Sequence, residues 1–375
     1  ERRASVTVQV AANGLNEEDK TVVVGMGVPS NAVQGKVVTS TVTIVNTDPE
    51  PTVSFGSGSS SGEETTSPVR LEVKLSAPSG KPVTVGYAVT GGTAILGKDY
   101  ALAAGVLSFE PGETSKAIEI DIKNHGIYDD DKTLEIALKD PKNAVLGSTA
   151  AHTRTIVHTA PQPAAAYLSA NSRGDEKTSS VLIPVGLSAP SGKPVTVEYA
   201  VTGGTAESGK QYALKGTSLT FAPGETLKEL ELTVKDDGVN RDDRTVAVSL
   251  KDPKNAVLGG TAVHTYTIID SNPEPAVTFT TAGQQVKESA GTATIGVELS
   301  AISGRDVTVP LLVSGTAKTP GSFTMPSGPV VIKAGERSAS VPVQIVANGL
   351  NEDDKTVVVS MGVPSNAVQG KIVTS

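Results

Sequence analysis

The sequence predicts an all-β chain, a tandem of antiparallel β-sandwiches. Three observations predict it. Apolar and polar residues alternate with period two through many short runs; turns bearing Gly and Pro separate the runs; and the text repeats at an offset of 112 residues, the length of a domain. No segment carries a sustained helical period.

The repeat is direct. Leu75-Ser76-Ala77-Pro78-Ser79-Gly80-Lys81-Pro82-Val83-Thr84-Val85 returns at Leu187–Val197, and again in altered form at Leu299–Val309. Lys139–Gly147 returns at Lys251–Gly259. Residues 1–40 match residues 336–375 at 33 of 40 positions, an offset of 335, close to three repeats. The expected domains are therefore 1–48 (the second half of a unit), 51–159, 164–270 and 276–375. The last of these lacks a final strand, whose text would resemble Thr41–Val45.

Within the first full unit the strands follow in order. Val69, Leu71, Val73 and Leu75 alternate with Arg70, Glu72 and Lys74. Val83, Val85, Tyr87 and Val89 follow, then Ile118, Ile120 and Ile122, then Leu134, Ile136 and Leu138, then Thr153–Val157. Each is a half-buried strand with one face on a core and one in water. Pro78-Ser79-Gly80, Gly91-Gly92, Pro111-Gly112 and Asp140-Pro141 supply the turns. About seven short strands per unit is the pattern of an immunoglobulin-like sandwich. The linkers Asp48-Pro49-Glu50-Pro51, Pro161-Gln162-Pro163 and Asn272-Pro273-Glu274-Pro275 are short and proline-bearing, so an elongated, stiff string of domains is expected.

Composition narrows the function classes. A net charge of −8, from 32 Lys+Arg against 40 Asp+Glu, argues against nucleic acid and anionic membranes as partners. The absence of Cys removes disulfides, thiolate metal sites and cysteine nucleophiles. Aromatic residues make up 3% and Trp is absent, so the cores must be built from Val, Leu, Ile and Ala. No stretch has the ~20 apolar residues of a membrane helix. The chain opens on Glu1-Arg2-Arg3 without an initiator Met and reads as part of a larger protein.

A recurring set of short elements carries a family resemblance. The first full unit has Glu64, Gly92-Thr93-Ala94, Asp99-Tyr100 and Phe109-Glu110-Pro111-Gly112-Glu113. The second has Glu176, Gly204-Thr205-Ala206, Gln211-Tyr212, Phe221-Ala222-Pro223-Gly224-Glu225 and Ile269-Asp270. The third has Glu288, Gly315-Thr316-Ala317 and Ala334-Gly335-Glu336, with Ser322-Phe323 in place of Asp-Tyr. In these elements each unit resembles a Calx-β domain, a sandwich found in sodium–calcium exchangers and bacterial surface proteins.

The resemblance implies calcium at one tip of the sandwich, held by the early Glu, the Asp before Tyr, an acidic loop and a terminal Asp. In the second unit that set is Glu176, Gln211, Asp236, Asp237, Asp242, Asp243 and Asp270, with Gln211 where the family has Asp. In the first it is Glu64, Asp99 and Asp130, flanked by Asp129 and Asp131, while Asn124-His125 and His158 replace Asp236-Asp237 and Asp270. In the third it is Glu288, Glu352, Asp353 and Asp354. Converging carboxylates suit a hard cation that takes six to eight oxygens. The plain reading of the same acids is solvated turn formers.

Other constellations are weaker. Gly58-Ser59-Ser60-Ser61-Gly62 matches a nucleophile elbow but lies in a Ser/Gly segment with no helix after it, and an enzyme is not expected. Among His125, His152, His158 and His264 no three combine into a zinc site by spacing. His125 and His158 fall at the tip of one unit and could approach each other, although surface placement is the simpler expectation. Arg173-Gly174-Asp175 is an integrin-type tripeptide in one unit only.

The expected role is mechanical: a rigid spacer or fibre segment of a secreted bacterial surface protein, stiffened by calcium, with copies of itself as partners. Open edges at the cut domains would invite strand exchange with another copy. The competing expectation is a calcium-dependent adhesin that binds a carbohydrate or protein ligand on the cell surface through its tip loops.

Overall fold

A computed structural model describes residues 3–375; Glu1 and Arg2, the first two residues of the 1–48 segment, lie outside it. The chain divides into two units, residues 1–162 with Ser191–Lys193, and residues 163–190 with 194–375.

In the first unit, the sandwich of residues 51–159 is two five-stranded sheets. One runs Ser59–Glu63, Ala151–Val157, Lys132–Lys142, Val83–Gly92, Gly105–Phe109 in spatial order. The other runs Val145–Leu146, Thr52–Phe55, Val69–Leu75, Ser115–Ile122, Tyr100–Ala101. The alternation decides which residues go inside. Along Val69–Leu75 the four apolar side chains are buried, and Arg70, Glu72 and Lys74 are exposed. Phe109, Ile118, Ile120, Leu134, Ile136 and Ile156 are all at most 1% exposed, each worth roughly 1.5–3 kcal/mol of burial. Gly92 sits at φ 110°, where a Cβ would lie 2.2 Å from the Thr133 carbonyl oxygen. Glycine is thus required where the Val83–Gly92 strand bulges beside Glu135/Ile136.

The N-terminal strands Lys20–Gly25 and Thr39–Ile44 form an antiparallel pair, placed in the repeat where Lys132–Lys142 and Ala151–Val157 pair. Among the described residues this pair stands as a two-stranded sheet, and Val23 is 61% exposed. Ser79 and Gly80 receive this segment: Gly80 N–H donates to the Asn16 carbonyl at 2.9 Å, Asn16 Nδ2 donates to the Asp48 carbonyl at 3.0 Å, and Lys81 pairs with Glu18 at 3.1 Å.

In the second unit, residues 164–270 repeat the two-sheet order, over a core that includes Phe221, Leu230, Leu232, Val246 and Val248. Residues 276–375 depart from it. One five-stranded sheet is retained, but the other becomes two pairs, Val307–Val309 with Val330–Ile332 and Leu311–Gly315 with Val357–Met361. Pro310 lies at the break, where it removes a ladder donor. The place of the edge strands Ser59–Glu63 and Asn171–Asp175, residues 283–287, carries no strand, and a 3₁₀ turn at Glu288–Ala290 follows it. Val359 exchanges both backbone hydrogen bonds with Ser375, at 2.8 and 2.9 Å. Ser375 begins the register that Ala151–Val157 and Val263–Ile269 follow in the other two sandwiches.

The joint between residues 164–270 and 276–375, within the second unit, repeats the one at Asn16. Gly304 N–H donates to the Asn240 carbonyl at 2.8 Å, Asn240 Nδ2 donates to the Asn272 carbonyl at 2.6 Å, and Arg305 pairs with Asp242 at 2.8 Å.

Candidate metal centres

In the second sandwich the tip gathers residues from four segments. Glu176 follows the edge strand, Gln211 precedes the Tyr212 strand, Asp236 and Asp237 lie in the loop after Val234, and Asp270 ends the last strand. Asn272 Nδ2 bridges Glu176 Oε1 at 2.6 Å and Asp236 Oδ1 at 3.0 Å. Gln211 Nε2 donates to Asp237 Oδ2 at 2.6 Å, while its oxygen accepts from Glu207 N–H at 2.7 Å. Arg241 places its guanidinium on Asp237 at 2.8 Å and its N–H on Asp270 Oδ2 at 3.0 Å.

Electrostatics follow from this crowding. Burial pushes the Glu176 carboxyl above its ordinary range, and Asp270, Asp236 and Asp237 add like-charge repulsion. Burial likewise raises Asp270. Asp236 is held below its ordinary value by the Asn272 amide and the Gly238 N–H. A divalent cation would relieve the repulsion, and Glu176, Asp236, Asp237 and Asp270 carry the oxygens a hard cation takes, while Gln211 turns its amide nitrogen, not its oxygen, toward Asp237. To enter, it must displace the Asn272 and Arg241 donors.

Two residues of the expected set turn elsewhere. Asp242 is 86% exposed and reaches across the joint to Arg305. Asp243 accepts the Asp270 N–H at 3.0 Å and so fixes the end of the last strand. In the third sandwich Glu288 is exposed and accepts the Asn348 N–H at 3.0 Å, and Glu352 is engaged by Lys355 and Asn348.

The first sandwich differs. Glu64, Asp99, His125 and His158 come together at its tip. His158 Nδ1 is 3.0 Å from Glu64 Oε2, His125 Nε2 is 3.4 Å from Asp99 Oδ1, and the two imidazole rings are 5.0 Å apart. The expectation of surface histidines is corrected here. His158 is buried because it stands at the end of the last strand, where Asp270 stands in the second sandwich, and that position faces the tip. Asp130 is 69% exposed and pairs with Lys193.

His152 and His264 are also buried, for another reason. Ser60 Oγ lies 2.8 Å from His152 Nε2, and His152 Nδ1 lies 2.6 Å from the Ser57 carbonyl. Ser172, His264 and Ser169 repeat this at 2.8 and 2.7 Å. Each histidine ties an edge strand to the last strand. With a backbone carbonyl on the second ring nitrogen instead of a carboxylate, the pair is a clamp. The signal available in the sequence was the 112-residue spacing of the two histidines. Arg173-Gly174-Asp175 lies within an edge strand paired to Thr267–Ile269, and Asp175 accepts from Ser271 Oγ at 2.9 Å.

Comparison with known proteins bears on these tips. The Calx-beta domain model matches residues 46–160, 168–272 and 270–374. Sodium/calcium exchanger 1 of Canis lupus familiaris is 26% identical over 190 residues, 45% of this chain and 20% of the exchanger. Extracellular matrix organizing protein FRAS1 of Mus musculus is 25% identical over 213 residues, 53% of this chain and 5% of that protein. The chain thus spans a fifth or less of the length of these relatives. Among solved structures, the crystal structure of CBD12 from CALX1.2 aligns with TM-score 0.30 and 19% identity over 58% of this chain and 99% of that one.

Proposed function

The chain belongs to the Calx-beta domain family, and from that membership we propose that it is a structural spacer, a segment of an extracellular surface or matrix protein stiffened by calcium at the tip of its second sandwich. Calx-beta domains are binding or regulatory modules.

The observation that carries this reading is the repeated joint. Asn16 and Asn240 each offer a carbonyl to the Ser-Gly turn of the following domain and use their side-chain amide to hold the linker behind it. A joint bonded at turn, linker and ion pair resists bending in a way that a Gly/Ser tether does not. Stacked units whose stability comes from themselves and their neighbours suit a molecule that provides length.

Calcium acts in this reading by neutralising Glu176, Asp236, Asp237 and Asp270 beside the Asn272 linker. It would lock the tip from which Asn240 and the next domain are held. Small-angle scattering with calcium and with chelator tests it. The expected result is a rod-like profile that tightens with calcium; a flexible-chain profile unchanged by calcium overturns it.

A further inference from the structure

The tip of the first sandwich carries donors of a different chemistry from the second. His125 stands where Asp237 stands, and His158 where Asp270 stands. Two hard oxygen donors are thereby exchanged for two imidazoles, while Glu64 stands where Glu176 stands and Asp99 where Gln211 stands. The side chains of Glu64, Asp99 and His158 are 1%, 1% and 2% exposed, and that of His125 is 15% exposed.

None of the atoms these residues turn toward one another has a hydrogen bond. Glu64 Oε2, Asp99 Oδ1 and both ring nitrogens of His125 and of His158 are buried without a partner. The 3.0 Å approach of His158 Nδ1 to Glu64 Oε2 is misaligned for an N–H to that oxygen. Buried polar atoms are almost always bonded, so six orphans at one place call for a ligand. Asp99 Oδ2, by contrast, is fully used by the Ile95 N–H at 2.7 Å.

We propose that this tip is a zinc site, ligated by Glu64, His125 and His158, with Asp99, 3.4 Å from His125 but outside their cluster, drawn in as the fourth donor. Four-coordinate zinc with bonds of about 2.1 Å sets its donors roughly 3.4 Å apart. Here the donor atoms of Glu64, His125 and His158 lie within 4.8 Å of one another, and two of the contacts around the cluster are already 3.0 and 3.4 Å. Two neutral imidazoles and two carboxylates balance the charge of Zn2+ and leave no net charge buried. Calcium is disfavoured, because imidazole is a poor ligand for a hard cation and two carboxylates fall short of its oxygen requirement. Competition from other histidines is absent: His152 and His264 have both ring nitrogens engaged.

The test uses the whole chain, stripped with chelator and titrated calorimetrically with ZnCl2, then with CoCl2 for its visible spectrum. One equivalent of zinc should bind, and cobalt should give the absorption of a four-coordinate N/O site. His125→Asn and His158→Asn should each weaken zinc by at least the roughly 10–100-fold that loss of an outer-shell partner costs, and His264→Asn should leave it unchanged. If His158→Asn does not fold, the less buried His125→Asn carries the same expectation. No saturable equivalent, zinc retained in both tip variants, or calcium displacing zinc at equal concentration overturns the assignment. The calcium reading of the second sandwich stands or falls separately, because Glu176→Gln leaves the zinc equivalent in place.

Discussion

Asn16 and Asn240, two repeats apart, make the same backbone bond: each carbonyl accepts the N–H of the glycine in the next Ser-Gly turn, Gly80 at 2.9 Å and Gly304 at 2.8 Å. Their side-chain amides hold the linkers at Asp48 and Asn272. A position that reads in the sequence as an ordinary loop asparagine is therefore the hinge pin of a domain joint.

Replacing Asn240 by Ala removes the linker bond and should cost about 1–2 kcal/mol at the joint. Gly304→Ala should act more harshly, because a Cβ there would come within 2.7 Å of Arg241 Cβ and 3.3 Å of the Asn240 carbonyl oxygen. Scanning calorimetry should show the transition of the third sandwich separating from that of the second in both variants.

Calcium should raise the melting midpoint of the second sandwich, since an ion bound only to the folded state stabilises by RT ln(1 + [L]/Kd). Glu176→Gln and Asp270→Asn should abolish that rise. Asp242→Asn should leave it intact and lose only the exposed Arg305 pair, less than ~1 kcal/mol. Midpoints with calcium and with chelator separate the two groups of variants.

Glu113 and Glu225 explain why the Pro-Gly turn carries a glutamate. Each folds back onto the N–H three residues earlier, Glu110 and Ala222, at 2.8 Å. The lysines three residues on, Lys116 and Lys228, together with those N–H bonds, hold both carboxyls below their ordinary value of 4.5. A folded pKa below the unfolded one means stability present above about 4.5 and lost as pH falls through the lowered values. Glu113→Gln/Glu225→Gln should therefore melt lower at pH 7 and converge with the parent chain in acid. Parallel melting curves from pH 7 down to pH 3 would contradict it.

Phe221→Ala should destabilise the second sandwich by about 3–5 kcal/mol, because its ring is wholly enclosed. Chemical denaturation should show the loss confined to that transition.

The strands were legible because period-two alternation dictates a buried face whatever the neighbours are, as Val69–Leu75 shows. The tips were legible only as residue types. Which acids converge depends on loops that fold against partners far apart in the chain: Asp242 turned to Arg305, Asp243 to the Asp270 N–H, and Asp130 to Lys193. The grouping of Glu64 with His125 and His158 was legible through the repeat, since they stand 112 residues before Glu176, Asp237 and Asp270, but the burial of the two histidines was not. The break at Pro310 was present in the text but needed the neighbouring strands to show its effect.

Residual dipolar couplings of the intact chain test the stiffness of the joint most directly. Residues 164–270 and 276–375 should fit a single alignment tensor in the parent chain and require two in Asn240→Ala. Two unrelated tensors in the parent chain itself would contradict the account, since the Asn240–Gly304 joint would then be a loose connection and the array could not serve as a rigid spacer.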